Sequence, residues 1–270
     1  MCTHIHISSV NNNLYWGRTL DTSFNPFEVG SKITIVPRNF TLETQSKPWK
    51  TKYAFLGINL CGSTLFFDGV NEKGLAGGLL FLKACTWDKK ENIEKQGLIA
   101  INSGEIVTWI LSNFESVSDI KNNISKVVVT SDDIPSLGEL GKGNPITAHY
   151  TFTDKMGESV VLEPTNHGHF RVFDNTVGVM ANDPTFDWHM TNLEIYILVQ
   201  GFNKQQNNLN SKTVITPISN GTGMLGLPGD YTSPSRFVRV AYLRNLIGDI
   251  TDEEAPARLF SILNSVWVPK

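Results

Sequence analysis

The chain has 270 residues, 40% of them hydrophobic and 18% charged, with a net charge of -3. This composition fits a folded globular protein, and the absence of basic blocks argues against nucleic acid or an anionic membrane surface as a partner. No apolar run approaches the about 18 residues that a membrane span needs, and no basic-then-apolar leader is readable, so the expected location is the cytoplasm.

The three cysteines, Cys2, Cys61 and Cys85, form neither a disulfide framework nor a zinc-binding spacing. Cys61 and Cys85 lie in apolar surroundings and read as buried thiols.

In chain order, "THIHISS" alternates, with Ile5 and Ile7 on one face and His4 and His6 on the other, which predicts a strand. Asn11 to Asn13 predict the turn of a hairpin that returns through "LYWGR". Further strands are expected at "KITIVPRNF", "KYAFLGINL", "GSTLFFDGV" and, after the "NEKG" turn, "LAGGLLFL", whose glycines suggest close backbone approach. Ser103 can cap a helix over "GEIVTWILSNF", and "SVSDIKNNISKV" reads as a second, shorter one. Strands resume at "TAHYTFTD", "ESVVLEP" and "HFRVFDN". Three helices are then expected, over "PTFDWHMTNLEIYILVQ", "SPSRFVRVAYLRNLI" and "DEEAPARLFSILNSV". The polar stretch from Gln200 to Lys212 reads as a long excursion. Runs of strands followed by runs of helices predict an α+β layered fold over one domain spanning residues 1–270.

Cys2 is the most informative residue for chemistry. Removal of Met1 would give one residue both a thiol nucleophile and an α-amine, and a neutral amine with a pKa of roughly 7.7–8.0 can accept the thiol proton. By itself the position reads as an incidental cysteine at a frayed end. Arg18 and Asp21 return alongside the first strand, where a guanidinium lowers a thiol pKa and a carboxylate holds an amine. Both also suit a surface ion pair. Asn182, between a strand and a helix start, can donate its amide to an oxyanion, or simply make an Asx turn before Pro184. Arg236 sits near a helix start, which ordinarily favours anions, so a second duty such as orienting a carboxylate is expected. The pairs His4/His6 and His167/His169 lack supporting metal-ligand spacing and read as polar strand faces. No metal or cofactor is expected.

Together, "MCT", "WGRTLD", "IVPRNF", "TKYAFLG", "DGVNEKGL", "NDPTFDWHMTNL" and "GLPGDYTSPSRFVRVAYLR" resemble, in family order, the choloylglycine hydrolases. These are the bile salt hydrolases and penicillin V acylases, among the N-terminal nucleophile hydrolases. The resemblance implies a four-layer αββα sandwich of two stacked antiparallel sheets. It implies hydrolysis of a linear amide through a thioester on Cys2 after loss of Met1. Arg18 and Asp21 would then tune the thiol and hold the α-amine, Asn182 would supply the oxyanion amide, and Arg236 would complete the polar cluster. Two features depart from the family. Leu80 aligns where bile salt hydrolases carry Asn and some penicillin acylases Tyr, leaving its backbone N–H as the second oxyanion donor, and family chains continue beyond the "FSILNSV" helix. The implied substrate is a small amide with an apolar acyl group, with Trp16, Phe24, Phe66, Phe81 and Trp188 as candidate pocket aromatics. A homo-tetramer follows by family analogy. The competing readings are a degenerate family member acting as a binding protein and an N-acyl homoserine lactone acylase.

Overall fold

The computed structural model describes residues 1–44, 46–134, 137, 142 and 146–269. The first hairpin forms as predicted, from β1 (Cys2–Ser8) and β2 (Leu14–Leu20), with Asn12 in the left-handed region at the turn. Next come β3 (Ile33–Val36), a short ribbon of β4 (Thr41–Leu42) and β5 (Trp49–Lys50), then β6 (Phe55–Asn59), β7 (Phe66–Asn71) and β8 (Ala76–Phe81). A helical stretch follows: α1 (Lys90–Lys95), strand β9 (Ile99–Asn102), α2 (Ile106–Asn113) and α3 (Val117–Asn123). Strands β10 (Val127–Thr130), β11 (Ala148–Thr153), β12 (Ser159–Asn166), β13 (His169–Asp174) and β14 (Val179–Met180) lead to α4 (Phe186–Leu193). A hairpin of β15 (Asn207–Asn210) and β16 (Thr213–Ile215) precedes α5 (Ser233–Asn245) and α6 (Ala255–Asn264).

Two sheets carry the fold. The larger has the order β3-β6-β7-β8-β11-β12-β13-β10-β9 and the smaller the order β14-β1-β2. All their pairings are antiparallel except β9 with β10. On the outer face of the larger sheet, Ile106, Val107, Ile110 and Leu111 of α2 bury against Tyr150, Phe152 and Leu162. On the outer face of the smaller sheet, Ile5 and Ile7 bury against Phe237 and Val240 of α5 and Leu259 and Leu263 of α6. The result is the expected αββα sandwich.

A row of glycines lets α2 approach the larger sheet. Gly57 pairs with Gly69, and Gly69 with Gly77, across β6, β7 and β8. A Cβ on Gly69 would lie 3.0 Å from Leu111, and one on Gly77 would lie 2.2 Å from the Phe152 ring and 2.4 Å from the Thr151 carbonyl oxygen. Gly77→Ala is therefore expected to lower stability by about 3 kcal/mol, at the upper end of overpacking costs, because backbone must move. Thermal unfolding of the variant measures it.

Several local expectations change. Asn102, rather than Ser103, provides the cap, accepting from the Gly104 N–H before a short 3-10 turn into α2. Pro184 lies ahead of α4, whose flanking residue is Thr185. The excursion at Gln200 to Lys212 carries the exposed β15–β16 hairpin. Cys85 is buried, and desolvation pushes its thiol up to about 12, whereas Cys61 is only half-buried. Phe66 belongs to the core beneath α2, whereas Trp16, its ring 4.9 Å from that of His4, is half-buried and lines an apolar cavity with Leu14, Ile33 and Leu56.

The polar face of β1 also proves to be interior. His4, His6, Thr151, Thr153 and Ser159 are buried between the sheets, with His6 Nδ1 3.3 Å from Thr153 Oγ1. A strand face that looks solvent-facing in isolation is covered here by a second sheet. Among the described residues, no helix is long and apolar enough to cross a membrane.

Candidate active site

The site forms where the first strand meets the loop after β14 and the start of α5. Cys2 is the first residue of β1, the central strand of the smaller sheet, and is buried. Residues directly opposite in an antiparallel pair share a face. Cys2 pairs with Leu20 and His4 with Arg18, so Cys2, Leu20, His4 and Arg18 all face the larger sheet. Thr3 and Thr19 face the helices.

The Cys2 N–H donates to Asn182 Oδ1 at 2.6 Å. Arg236 is completely buried and binds from the other side. Its Nη1 donates to the Cys2 carbonyl at 2.6 Å and to Thr3 Oγ1, its Nη2 to Asn182 Oδ1 at 3.0 Å, and its Nε to the Tyr231 carbonyl at 3.0 Å. Burial lowers the Arg236 pKa from its usual value, against the opposing electrostatic effect of the nearby Cys2 and Asp21 side chains. The cation at a helix start is thus explained: it serves the end of a strand more than 230 residues away in sequence.

Asn182 is the junction of the cluster. Its Oδ1 accepts from both Cys2 and Arg236, while Nδ2 gives one proton to the Phe81 carbonyl at 3.1 Å and keeps a second. The adjacent Asp183 accepts from the Lys83 N–H at 2.6 Å, tying this loop to the end of β8.

Asp21 lies one step past the β1–β2 pairing. Its N–H donates to the Met1 carbonyl at 2.7 Å, the Met1 amine donates to the Asp21 carbonyl, and its buried Oδ2 has no partner. Arg18 is drawn toward the larger sheet. Its Nη1 donates to the carbonyls of Leu79 (2.7 Å) and Phe67 (3.3 Å) and lies 3.7 Å from Asp68, whose pKa is raised by desolvation against the pull of Arg18. The guanidinium thereby fills the gap beyond the last β7–β8 pair at Asp68 and Gly78.

The register assigns the backbone at the end of β8 differently from the sequence reading. Leu82 N–H bonds the Thr147 carbonyl, and Leu80 pairs with His149 two residues back in the same ladder. This alternation directs the Leu80 N–H into the ladder with β11. Phe81 points its backbone groups the other way, toward Asn182, as its carbonyl bond to Nδ2 shows. A shift of one residue exchanges the two edges of a strand.

Thus the structure gathers Cys2, Asp21, Asn182 and Arg236, sets Arg18 beside them against β7 and β8, and brings the Phe81 carbonyl, rather than a backbone group of Leu80, against Asn182. Thr3 and Tyr231 lie inside the matched motifs with no role read for them, and Phe81 was read only as a candidate pocket aromatic.

Residues 2–270 match the family of linear amide C–N hydrolases described as the choloylglycine hydrolase family. A bile salt hydrolase/transferase of Clostridium perfringens is 34% identical over 98% of this chain and 79% of its own length. The solved structure of a variant of the conjugated bile acid hydrolase from Clostridium perfringens superposes with a TM-score of 0.84, at 34% identity over 98% of this chain and 79% of that one. Penicillin V acylase from Agrobacterium tumefaciens shares the fold, with a TM-score of 0.74 at 21% identity over 99% of this chain and 73% of that one. The chain belongs to the choloylglycine hydrolase family of linear amide C–N hydrolases.

Proposed function

We propose that Cys2, freed of Met1, is the nucleophile that cleaves amides joining an apolar acyl group to a small polar amine, as in conjugated bile salts or penicillin V. The observation that carries this reading is the convergence of Asn182 and Arg236 on the backbone of Cys2. An incidental cysteine has no need of an asparagine 180 residues away and a buried arginine 234 residues away.

The α-amine of Cys2 takes the thiol proton, and the thiolate attacks the acyl carbon. Negative charge develops on the former carbonyl oxygen, facing the second Nδ2–H of Asn182 and the Phe81 N–H. Collapse breaks the C–N bond, and the leaving amine takes the proton held by the Cys2 ammonium. The thioester is then attacked by a water that gives its proton to the same amine, and the acid departs. Asp21, with its buried unpartnered oxygen, holds the α-amine once Met1 is gone. Arg236 anchors the Cys2 carbonyl and Asn182, while Arg18 supplies positive charge along the thiol-bearing face. A cleft bordered by Arg18, Leu20 and Asp21 continues into an apolar bowl of Pro26, Phe27, Ile58 and Trp267, which suits an apolar acyl group.

The test joins activity to the N-terminal mass. The wild type is expected to lack Met1 and to hydrolyse such amides, and Cys2→Ala to lose at least about 10³-fold in kcat, as loss of a nucleophile does. Full activity from a protein retaining Met1 would overturn the reading.

A further inference from the structure

We infer that two buried histidines, His149 and His189, are positioning residues that clamp the peptide carrying Asn182, an inference that rests on the proposed role of Asn182 as oxyanion donor. Each ring donates to one of two consecutive carbonyls. His149 Nε2 lies 2.8 Å from the Ala181 oxygen, and His189 Nε2 lies 2.8 Å from the Asn182 oxygen. A carbonyl can only accept, so both Nε2 atoms carry protons.

Each ring is itself fixed. His149 comes from β11, and its Nδ1 lies 3.1 Å from Glu163 Oε1 on β12. The same Glu163 oxygen accepts the Phe186 N–H at 2.8 Å, at the start of α4. One carboxyl group therefore sets the orientation of His149 and anchors the helix that bears His189. The His189 ring stacks on Phe237 at 4.6 Å with a 13° tilt, one residue along α5 from Arg236. His149, Glu163 and His189 are all 0% exposed.

The arrangement matters because an oxyanion donor acts only if it is placed to within about 0.5 Å. The Asn182 side chain is held by Cys2, Phe81 and Arg236, but those bonds orient it only if its backbone is fixed. The residues on either side offer little regular structure, since β14 ends at Met180 and α4 begins at Phe186. The histidines replace the ladder that this segment lacks. His189 Nδ1 has no partner, and burial lowers the His189 pKa to about 4, so the ring serves near neutral pH as a neutral donor with a single tautomer.

A double-mutant cycle on the mature protein tests the clamp. His189→Phe keeps the stack on Phe237 and removes the donor. The readout is kcat and KM for an active amide substrate, per thiol titrated at Cys2. In the wild-type background kcat is expected to fall about 100-fold with KM changed less than about 3-fold, a cost comparable to misplacing a catalytic group by about 1 Å. His189→Gln, whose amide reaches the Nε2 position, is expected to recover at least about tenfold of that loss. In an Asn182→Ala background the same His189→Phe change is expected to cost less than about 3-fold, because its target is gone.

Equal losses in both backgrounds would overturn the inference, as would an unchanged kcat in His189→Phe or a Gln variant no better than Phe. His149→Asn, whose amide reaches Glu163 but not the Ala181 carbonyl, runs through the same cycle should His189→Phe not fold. It is expected to lose about tenfold in kcat only where Asn182 is present, and the same loss without Asn182 would overturn the clamp. A wild type inactive on every amide would instead sink the proposed function, so the two failures are told apart.

Discussion

Arg236→Met is expected to lower kcat by at least about 100-fold and the thermal midpoint by roughly 10 °C. The methionine fills the apolar part of the space but removes every donor of the fork. The carbonyls of Cys2 and Tyr231 and the hydroxyl of Thr3 then lose their partner inside the protein. Removing one member of a buried charged cluster costs about 3–5 kcal/mol, and about 1 kcal/mol corresponds to roughly 2–4 °C in a chain of this size. The loss of activity has a separate origin. Asn182 Oδ1 keeps only the Cys2 contact, so its amide is no longer oriented from two sides. Arg236→Lys separates the two effects. It restores the charge and part of the stability, but one ammonium cannot span Tyr231, Cys2 and Asn182 together as a planar fork does. Calorimetry and kcat on the two variants should therefore diverge: Lys nearer the wild type in midpoint, both far below it in rate. Similar rates for Lys and wild type would mean that charge alone is what the site requires.

The second large effect is acid unfolding driven by histidine. Burial is the leading cause that lowers the pKa of His6 to about 3, that of His189 to about 4, and that of His4 well below its usual value. The unfolded chain titrates near 6.5, so below that pH the unfolded state binds protons that the folded state refuses. Stability therefore falls as pH drops from about 6.5 toward 4 and levels only below the folded values. His189 alone contributes about 3 kcal/mol across its window and His6 about 5 kcal/mol, at about 1.4 kcal/mol for each pH unit. That sum rivals the total stability of an ordinary domain, about 5–15 kcal/mol. The urea midpoint is expected to fall steeply between pH 6.5 and 4 with an uptake of two to three protons on unfolding, roughly as the slope of stability against pH requires. His6→Gln should flatten that slope by about one proton. A midpoint independent of pH over that range would exclude the buried-histidine explanation.

Much of the architecture was legible in local pattern. The alternation of "THIHISS", the asparagine turn and the glycine spacing of "LAGGLLFL" each report a short-range requirement, and all reappear as β1, the β1–β2 turn and the glycine row. The main site residues were legible through motif order. What escaped depended on pairing between distant segments. His149 and Glu163 sit on two strands that the sequence marked only as strands, and nothing local says that a second sheet covers them. His189 lies in "DWHMTNL", where its ring reads as one more helix residue until α5 is packed beside it. The choice between Leu80 and Phe81 turned on a single step of register, which only the pairing with β11 fixes.

The bonds that complete the site also determine how the chain reaches it. Cys2 meets Asn182 across 180 residues of sequence and Arg236 across 234. β1 also lies in the middle of its sheet, with one neighbour beside it in sequence and the other, β14, about two-thirds of the chain away. Such non-local closure is entropically demanding and slows folding. On refolding, amidase activity should therefore return late, after the helix and hairpin signals have recovered. Cys2 precedes both partners in the chain, so the surroundings of its thiol are complete only when the segments around residues 182 and 236 have docked. The proposed nucleophile therefore meets the groups proposed to activate it at the end of folding rather than at its start.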